Sequence, residues 1–493
     1  MPARAACGGG EGVSGPVCTP SCGGTGQGMR HSDQGMFRYP EEVRPLFLET
    51  PDLVFKDGRR VSPVEIWDYM TEEAPKRYPY AYSTNPSFGG RFSCDVWLLS
   101  GIKCSYMGMT AIDRLKDAHS KGAPLVVIQG GYTFEPYYAA GCIPIGPMFP
   151  RGWIMNLKEG RGFDESNRMG MALLEESRKM LSVESCNLIA CLTIMKKMKV
   201  PVNMVAPCLC TRCSDMAYVT EACRHDTISQ APLHIVDYPV NHHWGEWRVD
   251  YLKEELQTLT EKLGKLSGRE VTDRCLRDEI RQQNYARSLV RECQKTWWQA
   301  KVPPTNSSDS GMAHLGVGGM FDFTAATQIL EETLDEIRTR AKQGVKGAGL
   351  VDDPARLYVC GSCAHTNPGF VDSKGGVIVG RDDMWSTATM EVQEAGDPYE
   401  NLARAMASLP YERPTVERAE WTVEQILESR ADGVIFIHNW GCNYQSAIAR
   451  MVTDIIKERT GLPAISIEVG ELARMESTEQ FQNRAEAFIE MLA

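Results

Sequence analysis

The sequence predicts an α/β fold: two Rossmann-like, mainly parallel-sheet domains joined by a helical connector, with a disordered N-terminal tail. Three observations predict it. Short apolar runs that stop at glycines or polar residues fall into two groups, one between residues 123 and 239 and one between 356 and 470. Helical segments separate the runs within each group, the pattern of βαβ units. Between the groups lies a stretch with helical periodicity only.

Taken in order, residues 1–35 are rich in Gly, Ser and Pro without apolar periodicity, so they read as a disordered tail. The Cys18–Cys22 pair inside it has no preorganised surroundings and reads as unligated. Residues 36–120 read as a mostly helical segment. "VSPVEIWDYM" carries a helix start, with Ser62 as N-cap and Pro63 at the first helical position. "MTAIDRLKDAHSKG" reads as an amphipathic helix stopped at Gly122.

Residues 121–247 form the first α/β domain. "APLVVIQGG" is a buried strand, "EPYYAAG" a short helix with Gly141 past its end, and "CIPIGP" the next strand. Further strands are expected over 200–207 and 232–239. Residues 248–345 are the connector. Leu252, Leu256, Leu259 and Leu263 recur at helical spacing, and another helix is expected from about Asp322 to Gly344. Residues 346–493 form the second α/β domain. Its strands are "RLYVCGS", "GGVIVGRD", "ADGVIFIHN" (Gly433–His438) and "LPAISIEVG", and "TEQFQNRAEAFIEML" is its closing helix.

Composition narrows the function. The 493 residues carry 53 basic and 64 acidic side chains, a net charge of −11 that argues against a general nucleic-acid binder. No run of 18 apolar residues is present, so no membrane-spanning helix is expected. Met1–Arg30 has no apolar core of a secretory signal, and the expected location is cytoplasmic. Signatures of P-loop ATPases, dinucleotide enzymes, serine hydrolases and zincins are missing.

The 17 cysteines are the informative chemistry. In a reducing compartment they point to thiols, some of them metal ligands, rather than to disulfides. Ligands of open α/β sheets bind beyond the carboxyl ends of strands. Cys208, Cys210 and Cys213 are expected to follow the 200–207 strand directly, and Cys442 follows the Gly433–His438 strand. Cys186 precedes the 200–207 strand, and Cys360 and Cys363 close the first strand of the second domain. Three thiols within six positions are prone to oxidation if exposed. Zinc would bind such thiols, but only one compact half of a tetrahedral site is visible; an iron–sulfur cluster held from separate segments fits as well. Cys191, Cys223, Cys275 and Cys293 lie in helical stretches and read as packing residues, and structural roles are expected for Cys94, Cys104 and Cys142. Several other residues have ordinary readings: His242 and His243 as surface, Asp382 and Asp383 as a solvated turn, Trp440 and Tyr444 as packing or cleft-lining aromatics. His365, beside Cys363, is a weak proton-donor candidate.

The order of these segments resembles the family of 2-hydroxyacyl-CoA dehydratases and ATP-dependent benzoyl-CoA reductases, from about Leu125 to the C-terminus. "GYTFEPYYAAGCIPI" is similar to an early family segment, and "ESCNLIACL", "VNMVAPCLCTRCSDMAY" and "ADGVIFIHNWGCNYQ" to three cluster-ligand segments. "HIVDYP" with the long helix after it, and the closing strand and helix, follow the family order. The resemblance implies a [4Fe-4S] cluster held by Cys186, Cys213 and Cys442, with one iron open, and a catalytic acidic residue, Glu135, near the active site. It implies single-electron chemistry on an acyl-CoA thioester, through a ketyl that expels a neighbouring hydroxyl or through ring reduction. It also implies an ATP-hydrolysing iron–sulfur activator, and a homologous second subunit or a self-dimer. Many relatives carry Arg or Lys where this chain has Ala190, and Cys208, Cys210 and Cys363 are extra thiols. These departures leave open a double-cubane cluster in a reductase of small molecules, and a non-catalytic relay or structural subunit.

Overall fold

The computed structural model describes residues 35–84, 94–129, 133–145, 159–179, 201–209, 221, 224–225, 231–238, 245–361, 368–382, 385–439, 442–469 and 479–492. The N-terminal tail lies outside them. The described residues belong to one packed unit, Gln34–Ala493.

The leading segment is mostly helical around one hairpin, β1 (Leu53–Val54) paired antiparallel with β2 (Arg60–Val61). The helix Pro63–Asp68 starts as its sequence predicts. Ser62 Oγ accepts the Glu65 N–H while the Glu65 carboxylate accepts the Ser62 N–H, a reciprocal capping box. The helix Leu99–Ser120 ends before Gly122, whose φ of 95° needs a residue without Cβ strain.

The first α/β half contains β3 (Leu125–Gln129), β4 (Ile143–Ile145), β5 (Met204–Leu209) and β6 (Val236–Asp237). All pair in parallel, in the order β4-β3-β5-β6. The second half contains β7 (Ala355–Cys360), β8 (Gly376–Arg381), β9 (Gly433–Asn439) and β10 (Ala464–Val469), also parallel, in the order β10-β9-β7-β8. Both halves therefore have one topology: the second strand lies on one side of the first, and the third and fourth on the other. In each, the order reverses beside the first strand, between β3 and β5 and between β7 and β9. Such a switch point opens a crevice at the carboxyl ends.

Two strand expectations are corrected. The strand expected over 200–207 begins at Met204 and runs through Pro207 to Leu209, so Cys208 lies within β5 and not after it. Proline cannot donate to a ladder and reads as a stop. The strand continues because its pairing changes sides: Met204–Pro207 align with β3, then Cys208 and Leu209 with Val236 and Asp237 of β6. The strand expected over 232–239 contracts to two residues, with a separate bridge at Leu233.

The connector consists of long helices at Glu246–Ser267, Asp273–Gln299 and Phe323–Gln343. Leu252, Leu256, Leu259 and Leu263 are buried on the first, each burial stabilising by about 2 kcal/mol. Thr272 and Asp322 cap the next two, and Gly268 and Gly344, in the left-handed region, stop the first and third. Cys275 is exposed rather than packed, because it sits in the first turn, just before the buried stripe starts at Leu276.

The connector is bonded to both halves. Trp298 donates from its indole to the Val379 carbonyl of β8 at 2.8 Å. Asn284 holds Val392 through both its carbonyl and its N–H. The helix Pro398–Ala407 lies between β8 and β9 in sequence, yet Leu402, Ala403 and Met406 join the core of the first sheet.

Candidate functional site

The carboxyl ends of the second sheet carry two of the cysteines singled out from the sequence, Cys360 and Cys442. Cys360 is buried and is the last residue of β7, aligned with Phe436 of β9 across the switch point. Gly361 follows with φ 92°, and a Cβ there would lie 1.9 Å from the Ile437 carbonyl oxygen. Only glycine fits where these two backbones approach. Cys442 lies just beyond β9 and heads the helix Asn443–Thr460, its carbonyl accepting the Ser446 N–H. It is half-buried.

Behind this crevice lies a fully buried ion pair. Asp382, the residue after β8, accepts the Gly361 N–H at 2.8 Å through one oxygen. Its other oxygen accepts from Arg418 at 2.8 Å, and neither side chain is exposed. Arg418 comes from the helix Thr415–Glu428. Its guanidinium also donates to the Tyr444 hydroxyl and the Gln445 side-chain oxygen, both at 3.3 Å. It lies 4.3 Å from the centre of the Tyr411 ring. The reading of Asp382 as a solvated turn is thus overturned: a charge directly after a buried strand stays inside when a buried cation meets it.

The first half buries a second such pair. Glu135 opens the short helix Glu135–Ala139 after β3 and is fully buried. One carboxylate oxygen accepts from Arg287 of the connector at 2.8 Å. The other accepts from the Thr133 hydroxyl at 2.5 Å and the Phe134 N–H at 2.9 Å. Glu135 is held as a satisfied carboxylate, with three donors around it.

Sequence reasoning missed Arg287 and Arg418, although both left a trace. Arg418 falls in the buried stripe Ala419, Thr422, Val423 and Ile426, and Arg287 in the stripe Ile280, Gln283, Asn284 and Val290. A cation on the apolar face of a helix needs a buried partner.

Of the thiols expected as cluster ligands, Cys442 is described, whereas Cys186 and Cys213 lie outside the described residues, as do Cys210, Cys363, His365, Trp440, His242, His243, Asp383, Cys191 and Cys223. Cys442 stands beside a switch point, at a helix start, where backbone N–H groups favour negative charge. Among the described residues, no three His, Cys, Asp or Glu side chains group to hold a metal ion. Cys142 and Cys293 behave as structural thiols, each pushed up to about 12 by burial. Tyr444 is half-buried against the core and Arg418. No described helix is long and apolar enough to cross a membrane.

The chain is 28% identical over 239 residues to a subunit of the benzoyl-CoA reductase of Thauera aromatica, covering 45% of this chain and 58% of that one. It is 24% identical over 253 residues to the (R)-phenyllactyl-CoA dehydratase beta subunit of Clostridium sporogenes, covering 49% of this chain and 64% of that one. The matches span less than two thirds of either relative. A family model, 2-hydroxyglutaryl-CoA dehydratase, D-component, matches residues 133–492, from Thr133 beside Glu135 to the closing helix. The chain belongs to the 2-hydroxyglutaryl-CoA dehydratase D-component family.

Proposed function

We propose that this chain is a subunit of an enzyme that dehydrates a 2-hydroxyacyl-CoA or reduces an aryl-CoA thioester by one-electron chemistry. The observation that carries the reading is Cys442 at the carboxyl-end switch point of a parallel sheet, inside the stretch that matches the family. Cys186, Cys213 and Cys442 would hold a [4Fe-4S] cluster. A bound cluster supplies single electrons at low potential, since protein clusters reach down to about −700 mV. The chain's own part is to present thiolates and to keep the crevice ordered. Gly361 lets the β7 and β9 backbones close, and the Asp382–Arg418 pair fixes the turn behind Cys442. Glu135, already saturated by donors, would help hold the substrate crevice of the first half in shape.

The relatives are named as subunits, which supports a partner subunit here. An ATP-hydrolysing iron–sulfur activator, an acyl-CoA substrate and a cytoplasmic location complete the proposal. The domain limits 36–120, 121–247, 248–345 and 346–493 are proposed with it. A double-cubane cluster is the second reading. It is favoured by Cys208 near the end of β5 and Cys360 at the end of β7, two further thiols on switch-point strands.

Anaerobic purification with iron, sulfide and zinc counting tests both readings. About four iron and four sulfide per chain, lost in Cys442→Ala, is the expected result. Roughly twice that iron selects the double cubane. Zinc without iron overturns the one-electron reading.

A further inference from the structure

We infer that the buried Asp382–Arg418 pair positions the Cys442 segment and that Asp382 neutralises the guanidinium charge the metal centre there would otherwise feel, an inference that rests on the cluster reading above. The pair joins three strand ends. Through Asp382 it holds the Gly361 N–H after β7, and Asp382 itself follows β8. Through Arg418 it holds Tyr444 and Gln445, two and three residues after Cys442, in the first turn that Cys442 heads.

Burial makes the pair's charge matter. Both side chains are fully buried, so their field is screened far less than that of a surface pair. A guanidinium stays protonated in any protein environment. The intact pair is neutral; Asp382→Asn would leave one uncompensated positive charge beside the ligand turn. A positive charge favours the reduced, more negative state of a nearby redox centre. The double variant Asp382→Asn/Arg418→Met buries no charge and returns the net buried charge to the zero of the wild type.

The test uses the anaerobically purified full chain. Its readouts are iron per chain, the midpoint potential followed by electron paramagnetic resonance, and the alkylation rate of Cys442 in iron-free protein, read by mass spectrometry. Asp382→Asn should raise the midpoint, and the double variant should bring it back toward wild type. The double variant should alkylate Cys442 several-fold faster, because its turn has lost the guanidinium. If Asp382→Asn does not fold, Arg418→Lys tests the positioning alone. It keeps the charge but cannot span both oxygens of the turn, so its Cys442 should also react faster. An unchanged midpoint in Asp382→Asn with full iron overturns the neutralising role of Asp382. An unchanged alkylation rate overturns the positioning role. Wild-type protein without iron overturns the cluster reading itself, and the iron count keeps that failure separate from the others.

Discussion

The two halves share one strand order but bury their charges differently. In the second half, Asp382 and Arg418 both lie within that half, 36 residues apart. In the first, Glu135 reaches 152 residues along the chain to Arg287 of the connector. The first half is also completed from outside, because Leu402 and Met406 enter its core from a helix between β8 and β9. Repeated topology is therefore not repeated autonomy. The connector packs on both sheets, through Trp298 on the second, but the second half supplies both members of its own buried pair, whereas the first takes its cation from the connector and part of its core from a helix of its counterpart.

The largest expected effect tests that dependence. Arg287→Met leaves Glu135 buried without its cation and should cost about 3–5 kcal/mol in urea unfolding. Hydrogen exchange should show the loss first in β3 and the connector; loss confined to the second sheet would contradict the dependence of the first half on the connector. Next comes the crevice of the second half. Gly361→Ala combines a left-handed backbone with a Cβ 1.9 Å from the Ile437 oxygen. It should cost about 2–4 kcal/mol and loosen β7 against β9. An unchanged melting temperature would show that the two backbones do not need to meet so closely.

The pH response should be opposite in the two halves. Burial beside Lys262 pulls His234 of the first half down from 6.5 to about 4. The unfolded chain then takes up the proton first, so stability falls as pH drops from 6.5 towards 4. Burial pushes Asp372 of the second half up from 3.8 to about 7, against the hydrogen bonds from Ser307. Here the folded chain keeps the proton longer, so stability falls as pH rises from 3.8 towards 7. His234→Gln should flatten the acid limb of the stability profile, and Asp372→Asn the neutral limb. A profile indifferent to both would remove this difference between the halves.

Features with local causes were legible in the amino-acid sequence. The cap at Ser62, the stops at Gly122 and Gly344, the leucine stripe of the first connector helix and the eight short strands follow from spacings of two to four residues. A backbone responds directly to such neighbours through capping, left-handed stops and one-sided burial. The place of Cys442 between a strand and the next helix was legible as well. Other features emerge only in three dimensions: the strand order of each sheet, the run of β5 through Pro207, and the partners of Arg287 and Arg418. An arginine on an apolar stripe announces a buried anion, but the anion's identity depends on which strand end the fold brings beneath it. Glu135 and Asp382 are selected by chain crossings that no local spacing encodes, because the pairing that places them forms only when the sheets close on the connector.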